Sequence, residues 1–389
     1  MNNRVGPIIA SDEQFCHQVA ETFATVGTSD HSWTEKVCAM AAKRDGSLQI
    51  GFGLGKYTNR NVMDAYAGVS RGVEQFTVRA SRRLFPELDF TAIGPITYEV
   101  VEPLEAVRFA LAPNDCQPIA FDFTFRAALP CNTEDRTHGR SPDGRRVTAE
   151  LVRYHQIGTA DGWVEADGER HDITSDEWVS TRDHSWGVRY DVGTPPTDLE
   201  PSPQMVDGVA FSMIWSPLLF ERPDGTRYGV FLHTIKAEGF GRVLQKMVTG
   251  GIEHPDGRVE AFVDLELALD FHPVTRRLRG GAVHTRMADG SERPFTFTVP
   301  TDTGFHLGAG LYFGWDDHHH GDWRGPLNVE GERIADCTAP EVFQRLHQIR
   351  DTFVIVDDPV GGGRGFGNCQ PIVTGARPDL GLSGDTSFL

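Results

Sequence analysis

Along this chain, hydrophobic residues recur at every second position far more often than at helical spacing. Leu48, Ile50, Phe52 and Leu54 alternate with Gln49, Gly51, Gly53 and Gly55. Ile119, Phe121, Phe123 and Phe125 alternate with Ala120, Asp122, Thr124 and Arg126, and Val209, Phe211, Met213 and Trp215 follow the same rule. The longest run sets Val259, Ala261, Val263, Leu265, Leu267, Leu269 and Phe271 against Glu260, Asp264, Glu266 and Asp270. A period of two places one set on a buried face and the other outside, so each run predicts a strand.

The connections support the same picture. Asp45-Gly46, Pro142-Asp143-Gly144, Asp167-Gly168, Pro223-Asp224-Gly225, Pro255-Asp256-Gly257 and Asp289-Gly290 fall between such runs. Asp-Gly supplies the positive φ angles of tight hairpins, and hairpins in series make antiparallel sheet, as meanders or closed barrels. Helix is sparse. The pattern predicts one from Asp12 to about Ala24, capped by Ser11, and one from Pro340 to Arg350, with Val342, Phe343, Leu346 and Ile349 at helical spacing.

Length organises these elements. A chain of 389 residues is too long for one ordinary core. Gly193 to Asp207, rich in Pro, Thr, Asp and Ser, reads as a linker between two all-β halves, residues 1–192 and 208–389, with 193–207 between them. The formal net charge of −18 opposes binding to nucleic acid or to anionic lipid surfaces. Six scattered cysteines without a C-x-x-C pair read as reduced thiols of a cytoplasmic protein. No signal peptide and no apolar stretch of membrane-spanning length is recognised, which argues against stable membrane insertion.

Most chemical motifs dissolve on inspection. Gly68-Val69-Ser70-Arg71-Gly72 fits the G-x-S-x-G spelling of a hydrolase elbow, but a strand-like run follows where the elbow needs a helix. Gly361 to Gly367 is glycine-dense without the Gly-Lys-Ser/Thr ending of a phosphate loop. Asp316 to Asp322, with His318, His319 and His320, reads as an exposed loop, because adjacent side chains on extended backbone point apart and do not converge on one ion; no metal and no cofactor is expected. Arg182-Asp183-His184-Ser185-Trp186-Gly187-Val188-Arg189 is different. It crowds an acid, an imidazole, an indole and two guanidiniums just before the linker, close to the domain junction where ligand sites often lie. One reading is structural, an ion-pair network with Trp186 as a plug. In the other, Asp183 faces a cavity, burial raises its pKa, and it delivers a proton to an alkene or alcohol.

Asp183-His184-Ser185-Trp186-Gly187 resembles the Asp-His-x-Trp-Gly signature of tandem lipocalin-like proteins of the carotenoid 1,2-hydratase (hydroxyneurosporene synthase) and attachment-protein-like type. The stretches Tyr98–Leu104 with Val107–Leu111, Ser81–Leu84 and Gly325–Arg333 carry the likeness further, nearest to a large uncharacterised bacterial branch. The resemblance implies two antiparallel calycin-type β-barrels side by side and an apolar cavity. It also implies cofactor-independent hydratase, dehydratase or cyclase chemistry on an isoprenoid- or steroid-like molecule. Asp183 is then the general acid, and His184 orients it or positions water. Arg189 pairs with an acidic neighbour, and Trp186, Trp215, Tyr312 and Trp315 wall the pocket. The alternative is a non-catalytic carrier of a lipid or hydrophobic metabolite. The expected partner is a hydrophobic small molecule, and a homodimer is compatible with all of this.

Overall fold

The structure, a computed structural model, describes residues 7–13, 16–140, 145–189, 192–194, 196, 198 and 208–387. It is all-β, as the alternation predicts, and is built from two large antiparallel sheets. The hairpins Asp45-Gly46, Asp167-Gly168, Asp224-Gly225, Asp256-Gly257 and Asp289-Gly290 all carry their glycine at positive φ. Pro142-Asp143-Gly144 and most of the Gly193–Asp207 stretch lie outside the described residues. Among the described residues, no helix is long and apolar enough to cross a membrane.

The second sheet has nine strands, and all but Gly304–His306 close into a ring. From Val209–Glu221 each pairs with its successor through Arg227–Gly239, Arg242–Glu253, Val259–Phe271, Leu278–Met287 and Glu292–Thr298. Glu292–Thr298 then pairs with Arg350–Asp358, and Gly363–Thr374 returns to the first strand. Ile214, Leu218, Phe220, Val230, Leu232, Phe295 and Val354 fill this barrel.

The first sheet, of fourteen strands, curls around its own core of Ile50, Phe52, Phe109, Phe121, Phe123, Phe125 and Trp178. Its ends meet where Gly94 lies against Val329 and Arg82 Nε donates to the Ala92 carbonyl. One edge strand is supplied by the C-terminal half: Leu327–Ile334 pairs with Glu74–Arg83. The two halves are therefore joined by backbone hydrogen bonds as well as by side chains.

The glycines of Gln49–Tyr57 explain how the halves approach. A Cβ at Gly51 would fall 2.5 Å from the Phe305 ring, and one at Gly53 would fall 2.3 Å from Tyr66. Phe305 stacks on Tyr66, so this stripe seats a segment of the C-terminal half against the outside of the first sheet. Beyond it, Met40, Ala42, Leu129, Ile157 and Val179 of the first sheet pack on Leu219 and Phe353 of the second.

Three sequence expectations change. The N-terminal stretch forms only a 3-10 turn, Ala10–Glu13, where a helix from Asp12 to Ala24 was expected. There the Asp12 carboxylate takes the amides of Ile9 and Phe23 and fixes an irregular loop. The second helix is Pro340–Leu346 and stops at His347, whose φ is positive, so that Arg350 can begin a strand. In Val259–Phe271 a bulge between Phe262 and Asp264 shifts the phase. Phe262 turns inward, and Val259, Ala261 and Val263 are exposed.

Candidate functional site

The strand Trp178–Val188, flanked by Trp33–Lys43 and Val147–Ala166, lies at the centre of the first sheet. Asp183 stands opposite Cys38 on one neighbour and His155 on the other. Their side chains share the outer face, which looks toward the second barrel; Thr181, two positions away, donates to Asn368 of that barrel. Alternation sends Arg182, His184 and Trp186 to the opposite face. There the Arg182 guanidinium lies over the core ring of Phe125, and His184 bonds Tyr154 at 3.1 Å and Glu35 at 2.9 Å. Trp186 packs edge-on to His184 and is 38% exposed. The motif is therefore split across the sheet. His184 cannot orient Asp183, and Trp186 cannot wall the same space.

That space is a cavity of about 100 Å³ between the two barrels. Its floor is Cys38, Arg153 and Asp183 from the first sheet, with Arg189 just past the end of the Asp183 strand. Met213, Trp215, His233, Gln370 and Ile372 of the second barrel form a wall, and Leu307, Tyr312 and Phe313 close it. Of the expected wall residues, Trp215, Tyr312 and Arg189 are brought to it. Trp315 is not: it is buried in a satellite core with Leu311, Ile334 and Leu346, sandwiched by Arg79 and Arg345. Arg153, Asp183, Arg189, His233 and Gln370 line it alongside the apolar groups, in contrast to the apolar cavity that the resemblance implied.

Asp183 is ringed by protein but keeps contact with the cavity. Among the described residues, its carboxyl takes part in no side-chain hydrogen bond and no ion pair. Burial pushes its pKa up, and Glu134 adds to this, while Arg153, Arg189 and Lys36 pull the other way. Cys38 and Tyr312 are 3.2 Å apart at the cavity edge, and burial raises both above their usual pKa. Arg189 donates to Ser185 at 3.2 Å.

Sequence reasoning missed the network beneath the floor. Glu134 accepts from Arg153 Nε at 2.7 Å and from the Trp215 indole at 2.9 Å. His155 Nε2 lies 2.7 Å from Glu253 of the second barrel, with its ring stacked on Phe231 at 3.8 Å. Burial opposes a charge on His155, but Glu253 and Glu134 outweigh it and lift the pKa to about 9. Burial and Arg153 push His233 down to about 4, so it is neutral at pH 7. Despite burial, Arg153 and His155 hold Glu134 well below the carboxylate range. Across the cavity, Gln370 and Asn368 donate to Asp351, which burial raises to about 6. The sequence signal for these groups was charged residues inside an alternating run (Arg153 and His155), legible only once the face that they share is known to be covered.

The expected exposed loop at Asp316–Asp322 also changes. Asp316 and Asp317 are exposed, but His320 is buried, 2.7 Å from Lys36 Nζ and 3.7 Å from Asp64. Ser70 lies in a strand that turns directly into another, and its hydroxyl accepts from Gly304 N. It has no strand–turn–helix setting to make it a nucleophile.

With this geometry in place, the chain can be set beside known proteins. It belongs to DUF8625, a family of unknown function, whose pattern matches residues 8–380. No curated protein matches the sequence. Among solved structures, a candidate AttH protein from Nitrosomonas europaea is similar, with 13% identity, a TM-score of 0.48 and coverage of 87% of this chain and 91% of that one. Kievitone hydratase from Nectria haematococca shows 11% identity and a TM-score of 0.41, covering 89% of this chain and 92% of its own. CghA bound to Sch210972 shows 11% identity and a TM-score of 0.43, covering 87% of each.

Proposed function

For this member of DUF8625 we propose acid catalysis at the inter-barrel cavity: addition or loss of water, or cyclisation, on a small molecule with one apolar and one oxygen-bearing end. The observation that supports it is the Asp183 carboxyl, enclosed, directly bonded to nothing among the described residues, and facing open space. Desolvation favours its neutral form, which can donate a proton. In the dehydration direction, the Asp183 proton passes to a substrate hydroxyl and the C–O bond breaks. Water leaves, and a proton from the adjacent carbon returns to the carboxylate as the double bond forms. Hydration is the reverse.

The wall argues for the substrate class. About 100 Å³ is below the roughly 300–1,000 Å³ of common ligand pockets, which favours a compact molecule over a long isoprenoid or a steroid. Met213, Leu307, Phe313 and Ile372 offer an apolar side, while Arg189, Gln370 and Tyr312 offer partners for oxygen. The His184 face has no part in this reading.

The test is conversion of a panel of small unsaturated and hydroxylated compounds, followed by mass change, in wild type and Asp183→Asn. Loss of turnover in a variant that melts normally supports the proposal; unchanged turnover removes Asp183. A bound lipid seen by native mass spectrometry, with no compound converted by wild type, favours the carrier reading.

A further inference from the structure

Among the described residues six arginines are buried to within a few percent, and all but one are compensated in an evident way. Arg79 and Arg377 have carboxylates. Arg82 donates to five backbone carbonyls, those of Arg83, Leu84, Glu87, Phe90 and Ala92. Arg276 donates to the carbonyls of Val373, Gly375 and Ser383. Arg182 lies between the faces of Phe125 and Tyr154 and donates to Gln156.

Arg350 is the exception. It is 3% exposed, and among the described residues its guanidinium has one acceptor, the Asp302 carbonyl, and no carboxylate. Arg277 donates to the same carbonyl at 3.3 Å and pairs with the Asp302 carboxylate at 3.0 Å, so two guanidiniums converge on one residue whose charge Arg277 takes. The Nε atoms of both arginines are buried without a partner. His306 stands opposite Arg350 in the strand pair Gly304–His306 and Arg350–Asp358. It is 1% exposed, and both of its ring nitrogens are unpartnered. Burial and the two guanidiniums keep His306 uncharged, and burial together with Arg277 pushes Arg350 down to about 9 against the pull of Cys337, Asp302 and Asp351. Arg277 has the Asp302 carboxylate, but Arg350, with a neutral N–H donor beside it, forms no ion pair among the described residues, which is a costly burial of charge.

We propose that this corner, between Gly304–His306 and the start of Arg350–Asp358, binds a small inorganic anion, halide or oxyanion, held by Arg350, Arg277 and the His306 imidazole. Next in sequence, Leu307 and Ile349 line the inter-barrel cavity. The bound ion therefore steadies a wall of that cavity without touching what the cavity holds.

The test needs no substrate. Melting of the full chain is followed in chloride, phosphate and the bulky anion gluconate at one ionic strength, and crystals are soaked in bromide. The expected result is a saturable rise in melting temperature in chloride or phosphate over gluconate, with anomalous bromide density beside Arg350. Arg277→Gln weakens the response roughly tenfold, the scale of one charge-assisted hydrogen bond. Arg350→Met removes it and leaves the protein in gluconate at least as stable as wild type. Identical melting in all three salts, absence of bromide at Arg350, or an Arg277→Gln response equal to wild type each overturns the site. If Arg350→Met does not fold, Arg277→Gln and the bromide density decide.

Discussion

The two faces of the strand Trp178–Val188 share a backbone and differ in what covers them. Toward the second barrel, Asp183 is half-buried and lines the cavity. Charges on that face must be compensated internally, by Glu134, Arg153, His155 and Glu253. On the reverse face, His184 meets Glu35 near solvent, where an ion pair gains little. The same five-residue motif therefore contains one group turned toward the second barrel and two turned away from it. Coverage by another sheet makes that difference; residue type alone does not.

The largest effect is expected in turnover. If the proposed reaction holds, Asp183→Asn costs roughly 10²- to 10⁴-fold, the usual range for a general acid, while His184→Ala stays within a few-fold of wild type. Equal losses in both variants, measured on one substrate, would erase the distinction between the faces. Next comes Glu134→Ala, which leaves the half-buried Arg153 and the buried His155 without their carboxylate; denaturant melts should show a loss of about 3 kcal/mol, the low end for a broken buried pair.

His155 gives a pH signature. Its folded pKa of about 9 exceeds the unfolded value near 6.5. Its contribution is thus complete below about pH 6.5 and fades as pH rises through about 9, by at most roughly 3 kcal/mol. His155→Gln should flatten that part of the stability curve, and a wild-type curve already flat between pH 7 and 9 would contradict the assignment. The smallest change belongs to the reverse face: Trp186→Ala should alter stability by about 1 kcal/mol or less, since its ring is already partly in water.

Alternation and Asp-Gly turns made the sheets legible, because both are local consequences of backbone geometry. Asp183 was legible as unusual, and so was its place near the domain junction. The period of two also separates Asp183 from His184, and applied within the motif it excludes a joint role for the pair. What the sequence hides is which face another barrel covers. Arg153 and His155 look like the polar side of an ordinary strand until Trp215 and Phe231, some 60–80 residues away, are placed against them. Trp315 was expected in the wall on aromatic character alone, and a satellite core claimed it. The Phe262 bulge is hidden for a related reason: adding one residue to a strand changes phase without changing composition.

The loan of Leu327–Ile334 to the first sheet has a practical consequence. A protein severed in the 193–207 stretch would leave Glu74–Arg83 with a bare flank of unpaired amides and carbonyls, and the Phe305 seat on Gly51 would be vacated. Such flanks recruit whatever strand is nearest. The N-terminal piece made by itself should therefore clump, and adding the C-terminal piece during refolding should rescue it, whereas adding it afterward should not.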